Sequence, residues 1–288
     1  MEWTNKTIFV TGGTGSMGSA LARYLVDKNP KKVIIFSRGW LAQKSLRDEL
    51  GDPTSFRWFL GDVRDKDRLY RAIKNVDILI HAAAVKCIDA CNYNPDECMK
   101  TNVTGTQNVI DACIDKKVGR CLFISTDKAV APVNTYGTSK AMAERLWLSA
   151  NQYAATDDIK FSVCRYGNVV ASSGSVVPLW RKMISDGADT VPITDERCTR
   201  FWFTMPNVMK FVDDSISKMQ GGEIFIPELP SIRITDLAKA MGVKYTVVGL
   251  REGEKIHETM GQYNEFGLID SGNNPWFLSV EEIRETIN

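Results

Sequence analysis

Several of the side chains and patterns that build common active sites are scarce in this sequence. The 288 residues include two histidines, His81 and His257, too few for a histidine-based zinc site or a histidine relay. None of the seven cysteines (Cys87, Cys91, Cys98, Cys113, Cys121, Cys164, Cys198) falls in a CxxC pair. An odd number in a chain of this length argues against a disulfide framework, so reduced thiols in a cytoplasmic protein are expected. Excess charge of one sign is also missing. With 36 Lys and Arg against 35 Asp and Glu, the formal net charge is +1, and no general field draws the chain to nucleic acid or an anionic membrane. Any bound anion must be caught by a local site. The longest apolar run, around "ILIHAAAV", is well short of a membrane span, and the opening "MEWTNKTIFVTGG" has no basic-plus-apolar leader.

What is present is a regular alternation of patterns. "KTIFV" (6–10), "KVIIF" (32–36), "FRWFL" (56–60), "DILIH" (77–81), "CLFIS" (121–125) and "KFSVCRY" (160–166) are short and rich in Val, Ile and Phe. They are continuous rather than alternating in polarity, as strands buried on both faces of a parallel sheet must be. Between them, residues 17–28, 65–74, 96–116 and 136–153 carry apolar residues at helical spacing. The alternation predicts right-handed βαβ crossovers and an α/β fold with a Rossmann-like doubly wound parallel sheet. After Asn168 the pattern breaks into Gly-, Ser- and Pro-containing loops with short helices. The expected organisation is a dinucleotide-binding domain over 1–167, to which a helix at 207–219 and the strand "EIFIP" (223–227) return. A smaller, partly interleaved substrate-binding region is expected over 168–206 and 228–288.

The first turn, "VTGGTGSMGSALARYL", places Gly12, Gly15 and Gly18 as GxxGxxG between the first strand and the first helix, with Ser16 and Met17 inside the turn. Small residues there let backbone amides and the helix N-terminus approach a pyrophosphate. At the end of the second strand, where an NAD site usually has an acidic residue, the chain reads "FSRGW". A hydroxyl at Ser37 and a guanidinium at Arg38 suit a 2'-phosphate, which favours NADP; alternatively Arg38 is a solvated surface charge. In "GDVRD", Asp62, followed by Val63, is placed to accept from an adenine amino group or to cap the helix at 64–74. The segment "ISTDKAVAPVNTYGTSK" brings together Thr126, Asp127, Lys128, Tyr136 and Lys140. Tyr136 and Lys140 lie one helical turn apart, so the ammonium is expected beside the phenol, lowering its pKa for proton abstraction from a sugar hydroxyl.

With these motifs in place, the chain resembles the extended short-chain dehydrogenase/reductases. Within them it is similar to the inverting UDP-N-acetylglucosamine 4,6-dehydratases of the type that opens pseudaminic acid biosynthesis. The segments that carry the likeness are "TGGTGSMGS", "FSRGW", "GDVRD", "HAAAVK", "YNPDECMKTNVTGTQNV", "STDKA", "YGTSK", "RYGNVVASSGSVVP", "PITDERCTRFW", "GGEIFIPELPS" and "REGEKIHE". The resemblance implies that His81, Ala82, Ala83 and Ala84 form the loop beside the nicotinamide ribose, and that Asn102 is the structural member of the catalytic tetrad. It also implies that Lys86, Asn168, Val177, Arg200, Arg251 and Glu254 belong to the nucleotide-sugar site. The two arginines would be guanidinium forks for a UDP pyrophosphate, and His257 is read as structural. Where many sugar 4,6-dehydratases have Asp-Glu after the threonine, this chain has Asp127-Lys128, as the inverting family does. Elimination across C5 and C6 needs a base and an acid; Lys128 is the expected base, requiring a lowered pKa, and Asp127 the expected acid.

Two departures stand out. "SRGWLAQ" replaces the family's "SRDELKQ", so a lysine often near the 2'-phosphate is Ala42 here, with Lys44 as a potential substitute. The region after Glu258 is shorter and less similar. The expected activity is an NADP-dependent dehydratase acting on UDP-N-acetylglucosamine, in a homo-oligomer that is a dimer or a larger assembly such as a hexamer. A nucleotide-sugar 4-epimerase and a non-catalytic NADP-sensing regulator are the alternatives. Replacing Arg38 with Ala should weaken NADP far more than NAD, because a lost charge-assisted hydrogen bond costs about 1.5–3 kcal/mol and only NADP offers the phosphate. Titration of both dinucleotides into wild type and variant checks this, and equal losses would refute it.

Overall fold

The computed structural model describes residues 3–154, 158–172, 174–264 and 267–287. Six strands follow the apolar runs: β1 (Thr7–Thr11), β2 (Lys32–Ser37), β3 (Phe56–Leu60), β4 (Ile78–His81), β5 (Arg120–Thr126) and β6 (Lys160–Tyr166). Ile224–Phe225 adds a seventh, and the order across the sheet is 224–225, β6, β5, β4, β1, β2, β3. Every neighbouring pair is parallel. The chain winds outward from β1 to β3 and then returns to β4 on the other side of β1. That reversal opens a crevice at the carboxyl ends of β1 and β4. β3, at the edge, is the sheet strand that shows a mixed exposure pattern, whereas β1 and β4 are buried throughout.

The pleat sends successive side chains to opposite faces, and each face has its own core. Ile8, Val10, Ile35, Ile80 and Leu122 pack with Leu21 and Leu25 of the helix Ser16–Val26 and with Val208, Val212 and Ile216 of the helix Met205–Lys218. On the opposite face Phe9, Phe36, Leu79 and Phe123 meet Leu69, Val109 and Trp147 from the helices Lys66–Ala72, Gly105–Asp115 and Thr135–Tyr153. A third core, including Val170, Trp180, Ile193, Trp202 and Leu237, lies in the smaller region. Around it are the strands Thr190–Ile193, paired with Lys244–Val247, and Thr199–Phe203, which lies between Asn168–Val169 and Ser231–Arg233.

Three local expectations change. The helix expected over 96–116 is Pro95–Met99, one π-helical turn at Lys100–Thr104, and Gly105–Asp115; the wide turn contains the buried Asn102. The helix after β3 is capped by Asp65, whose side chain accepts from the Arg68 amide at 2.9 Å, not by Asp62. Residues 190–193 and 199–203, read as loops with short helices, are strands. "TRFWF" is buried at every position although it begins with Thr199 and Arg200, and so short a run does not by itself announce its conformation.

Trp147 ties one face together. It is fully buried, stacks on His81 and Phe123 with ring centroids 5.5 and 5.4 Å away, meets Phe161 edge-on, and donates from Nε1 to the Cys121 carbonyl at 3.2 Å. Trp147→Ala should therefore destabilise the fold by about 3–5 kcal/mol, read from the shift of the denaturant midpoint. A loss below about 1 kcal/mol, the scale of an ordinary substitution, would contradict this account of the packing.

Candidate active site

The crevice is built first by what glycine permits. Gly12 has φ +63°, and a Cβ there would lie 2.8 Å from the Ala83 backbone; a Cβ at Gly18 would lie 2.4 Å from the Gly12 carbonyl oxygen. Only glycine allows the turn and the helix to close up in this way. Gly15 precedes the helix Ser16–Val26 without a side-chain cap, and the positive end of the helix dipole there suits an anion. Two cavities meet here, sharing Gly12, Gly15, Ala82 and Ala84. One, of about 390 Å³, is lined by Ser37, Arg38, Asp62, Val63 and Ala83 among others. The other, of about 290 Å³, runs past Ser16, Met17 and Gly18 to Thr126, Asp127, Lys128, Tyr136 and Lys140. Two chambers that meet at a glycine turn and a helix N-terminus suit a dinucleotide cofactor.

At the first chamber, Ser37 is buried and its Oγ accepts from Gln43 Nε2 at 3.0 Å. Arg38 is 61% exposed, with a guanidinium nitrogen 3.9 Å from Asp62. Asp62 also takes two bonds from the Arg64 guanidinium, at 2.7 and 3.0 Å. Lys44 pairs along its own helix with Asp48 at 2.5 Å, so in this arrangement it does not stand in for the lysine missing at Ala42.

The loop after β4 is held from both sides. Thr11 Oγ1 accepts from the Ala82 and Ala83 amides at 3.1 and 3.2 Å and lies 2.6 Å from His81 Nδ1. His81 Nε2 is 2.9 Å from Thr106 Oγ1, which donates to the Asn102 carbonyl. These directions assign the proton to Nε2, with Nδ1 accepting from Thr11. Burial and the nearby Lys140 charge push the imidazole pKa down to about 3, so His81 is a neutral strut. Asn102 clamps both backbone groups of Val85, accepting from N at 2.8 Å and donating to O at 2.9 Å, and also donates to Ser139 Oγ on the Tyr136 helix.

At the chemical end, Thr126 closes β5 and a 3₁₀ turn, Asp127–Ala129, follows. Asp127 is fully buried. Its Oδ1 accepts from Thr126 Oγ1 at 2.9 Å and from Lys128 Nζ at 3.0 Å, while Oδ2 has no hydrogen-bond partner. Lys128 Nζ also lies 3.2 Å from Glu258 Oε1. Burial works against the ammonium, but Asp127 and Glu258 outweigh it and raise the Lys128 pKa despite the opposing Arg200 charge. This reverses the lowered value expected for a free base.

The Tyr136 phenol is likewise pushed up, to about 12, by burial and by Asp127, with Lys128 and the Thr126 hydroxyl drawing it back. The expected lowering by Lys140 is not found. Lys140 Nζ instead donates to the Ile124 carbonyl at 2.7 Å and sits 3.7 Å over the Phe123 ring. Its own pKa falls to about 7 through burial, opposed by Glu144.

Of the residues implied for the sugar, Lys86 and Asn168 line the second chamber, and Asn168 Oδ1 is buried without a partner. Arg200 is buried behind it. Its guanidinium is occupied by the Thr199 and Ile256 carbonyls at 2.7 and 3.0 Å and by Glu254 at 3.1 Å. Val177 is 1% exposed in the core of the smaller region, and Arg251 is exposed, 3.8 Å from Asp89. Neither lines the chamber.

Residues 8–268 match a family described as polysaccharide biosynthesis protein. The chain belongs to that family. It is 48% identical over 280 residues to the inverting UDP-N-acetylglucosamine 4,6-dehydratase of Campylobacter jejuni, covering 96% of this chain and 84% of the relative. It is 36% identical over 289 residues to a UDP-glucose 4-epimerase of Rickettsia bellii, covering 97% and 84%. Among solved structures, Pen from Bacillus thuringiensis aligns with a TM-score of 0.93 and 33% identity, covering 100% of this chain and 99% of that one.

Within this polysaccharide biosynthesis protein, several residues at the site escaped the reading of motifs. Tyr166, Ser172, Met205 and Val208 line the chamber, and nothing in their spacing marks them. Glu258, at the end of "REGEKIHE", had a signal only through the likeness of its segment. His257 Nδ1 lies 2.8 Å from Thr199 Oγ1, a contact within the fold.

Lys140 generates a pH dependence. Its pKa is about 7 when folded against 10.5 ordinarily. Between those values the unfolded chain binds a proton that the folded chain does not, so this group makes stability rise with pH. In Lys140→Met the rise should be flattened relative to wild type, measured as denaturant midpoints from about pH 7 to about pH 10. Parallel curves would show that Lys140 is not held in a disfavoured charged state.

Proposed function

We propose that this protein is an NADP-dependent UDP-N-acetylglucosamine 4,6-dehydratase that inverts C5. The observation that carries the reading is the placement of Asp127 and Lys128 on the same chamber as Thr126, Tyr136 and Lys140, beside a turn shaped for a dinucleotide. The 48% identity to an inverting dehydratase supports it. Arg38 at the adenosine end supports NADP over NAD. The bound nicotinamide supplies the chemistry of taking a hydride from C4 and returning it to C6.

The chain's residues handle the protons. The Tyr136 oxygen receives the C4 hydroxyl proton, with Thr126 and Lys128 favouring the phenolate. The 4-ketone acidifies C5. Lys128 in its amine form takes the C5 proton, and the C–H electrons form the C5–C6 double bond. As the C6–O bond breaks, Asp127 in its acid form protonates the departing oxygen, which leaves as water. Amine and acid are one proton shift, across 3.0 Å, from the resting ammonium and carboxylate. The pair therefore works with a single shared proton, and elimination returns it to its resting charges. Lys86 and Asn168, on the wall of the same chamber, would contact the sugar nucleotide.

A 4-epimerase would use Tyr136 and Lys140 with no need for an acid and base at Asp127 and Lys128, and a sensor would need neither pair. We further infer that residues 1–167 and 207–227 bind the dinucleotide while 168–206 and 228–288 form the sugar side. Self-association through the helices ending at Met99, Asp115 and Tyr153 is supported by the exposure of Met99, Met142 and Tyr153. A cytoplasmic setting suits seven unpaired cysteines.

Incubation with UDP-N-acetylglucosamine in heavy water tests the reading. The expected product is the 4-keto-6-deoxy sugar of L-arabino configuration with solvent deuterium at C5, and deuterium placed on C4 of the substrate should appear at C6. Lys128→Ala should still oxidise C4, visible as reduced-cofactor absorbance, but fail to dehydrate. A C4 epimer would indicate the epimerase, and tight NADP binding without turnover the sensor.

A further inference from the structure

The most unusual arrangement near the site is a set of charges that the proposed elimination does not fully use. Lys128 Nζ sits between two carboxylates, Asp127 Oδ1 at 3.0 Å and Glu258 Oε1 at 3.2 Å. Asp127 is its chain neighbour, whereas Glu258 arrives from a segment more than a hundred residues away, immediately before the strand Thr259–Asn264. Glu258 is 3% exposed and does not line the chamber, so it stands behind Lys128.

Its backbone is fixed independently of its side chain. The Glu258 amide donates to Ser271 Oγ at 2.9 Å, the Ser271 amide donates to the Glu258 carbonyl at 2.7 Å, and Ser271 Oγ donates to the Thr199 carbonyl. The carboxylate is less satisfied. Oε2 has no hydrogen-bond partner, and the nearest cation to it, Lys255, lies 3.7 Å away and donates instead to the Val130 carbonyl at 2.7 Å. A buried carboxylate serving only the fold normally has its oxygens hydrogen-bonded. This one is aimed at the ammonium of a residue on the chamber wall.

The groups facing this cluster come from four segments. Asp127, Lys128 and the nearby Tyr136 phenol belong to the end of β5 and the helix after it. Arg200 comes from the strand Thr199–Phe203, and Glu254, Lys255 and Glu258 from the stretch before the last hairpin. Three cations thus meet three carboxylates. Glu254 is engaged by Arg200 and by Thr194 Oγ1, which leaves Asp127 and Glu258 to neutralise Lys128.

We propose that Glu258 is a positioning residue for the elimination: it holds the shared proton on the Asp127–Lys128 pair and so keeps the pair competent at alkaline pH. This rests on the dehydratase reading. Elimination begins with one proton distributed over Asp127 and Lys128 and ends with the same number, so Glu258 gains and loses none. If the pair loses that proton to solvent, no acid remains for the departing hydroxyl. A second carboxylate 3.2 Å from Nζ opposes that loss. C4 oxidation, which needs Tyr136 and not an acid on the pair, has no such requirement.

The test is the pH profile of each step in Glu258→Gln, which keeps the side-chain shape and removes the charge. Single turnovers with UDP-N-acetylglucosamine separate oxidation, seen as the rise of reduced-cofactor absorbance, from elimination and hydride return, seen as its decay and the appearance of 4-keto-6-deoxy product. The alkaline limb of elimination should move down by about one pH unit or more, the effect of losing a nearby charge. The variant should then oxidise and stall at a pH where wild type completes the cycle. Glu258→Asp should recover part of the shift.

In wild type, the Lys128 ¹³Cε resonance, assigned by its loss in Lys128→Ala, should remain that of an ammonium beyond the ordinary lysine midpoint of about 10.4. This measurement does not depend on the glutamine variant folding. Coincident alkaline limbs, a Lys128 resonance titrating at or below the ordinary midpoint, or equal loss of both steps without a shift would overturn the proposal. If wild type forms no 4-keto-6-deoxy product at any pH, the dehydratase reading fails and the inference falls with it. If wild type dehydrates and the limbs coincide, only the role of Glu258 is lost.

Discussion

A parallel sheet buried on both faces has room for polar chemistry only at its strand ends, and the rest of this structure follows from that constraint. β1, β4 and β5 have apolar stretches at 8–10, 78–80 and 121–124 and end in polar residues, Thr11, His81 and the pair Ser125 and Thr126. Because the strands are parallel, these ends share one edge of the sheet, next to the reversal in strand order where backbone amides are also exposed. Polar groups gathered there must find partners or a ligand. Thr11, His81, Thr106 and Asn102 pair with one another and with the loop after β4. Asp127 Oδ2 and Asn168 Oδ1 do not pair, and both residues line the chamber.

The catalytic chemistry is correspondingly a matter of charge held in a confined space. Lys140 is buried and Lys128 half-buried, and their surroundings drive them apart. At Lys140 burial outweighs the Glu144 charge and weakens its hold on the proton; at Lys128 Asp127 and Glu258 outweigh burial and strengthen it. The same residue type is therefore tuned in opposite directions within one chamber by its surroundings in the fold.

The sequence made the large features legible and the small ones obscure, for identifiable reasons. Continuous Val, Ile and Phe runs mark doubly buried strands, and glycines at fixed spacing mark a turn that no side chain fits, so six strands and the dinucleotide turn could be read directly. The chemistry-bearing residues of "STDKA" and "YGTSK" were equally visible because they are local. What could not be read depends on tertiary neighbours. Lys140 lies one turn from Tyr136, but spacing does not say that Nζ bonds Ile124. The capping role fell to Asp65 rather than Asp62 because the helix begins at Lys66, two residues later than expected. The π-helical turn at Asn102 leaves no mark in a helical pattern. Val177 and Arg251, taken from the likeness, lie away from the chamber, because a matching segment does not specify which way each side chain points.

The return of Ile224–Phe225 to the main sheet has a consequence for how the protein comes into being. One face of the sheet is covered by the helix Met205–Lys218, whose Val208, Val212 and Ile216 pack onto residues from the first quarter of the chain. During synthesis from the N-terminus the helix Ser16–Val26 is available to that face when β6 has emerged, but its cover is incomplete until the smaller region's first strands and the helix Met205–Lys218 have also left the ribosome. The two regions are thus not successive folding units. The smaller one begins as an insertion between a sheet and part of its cover, and the half that holds the sheet is complete only after part of the smaller region has been made.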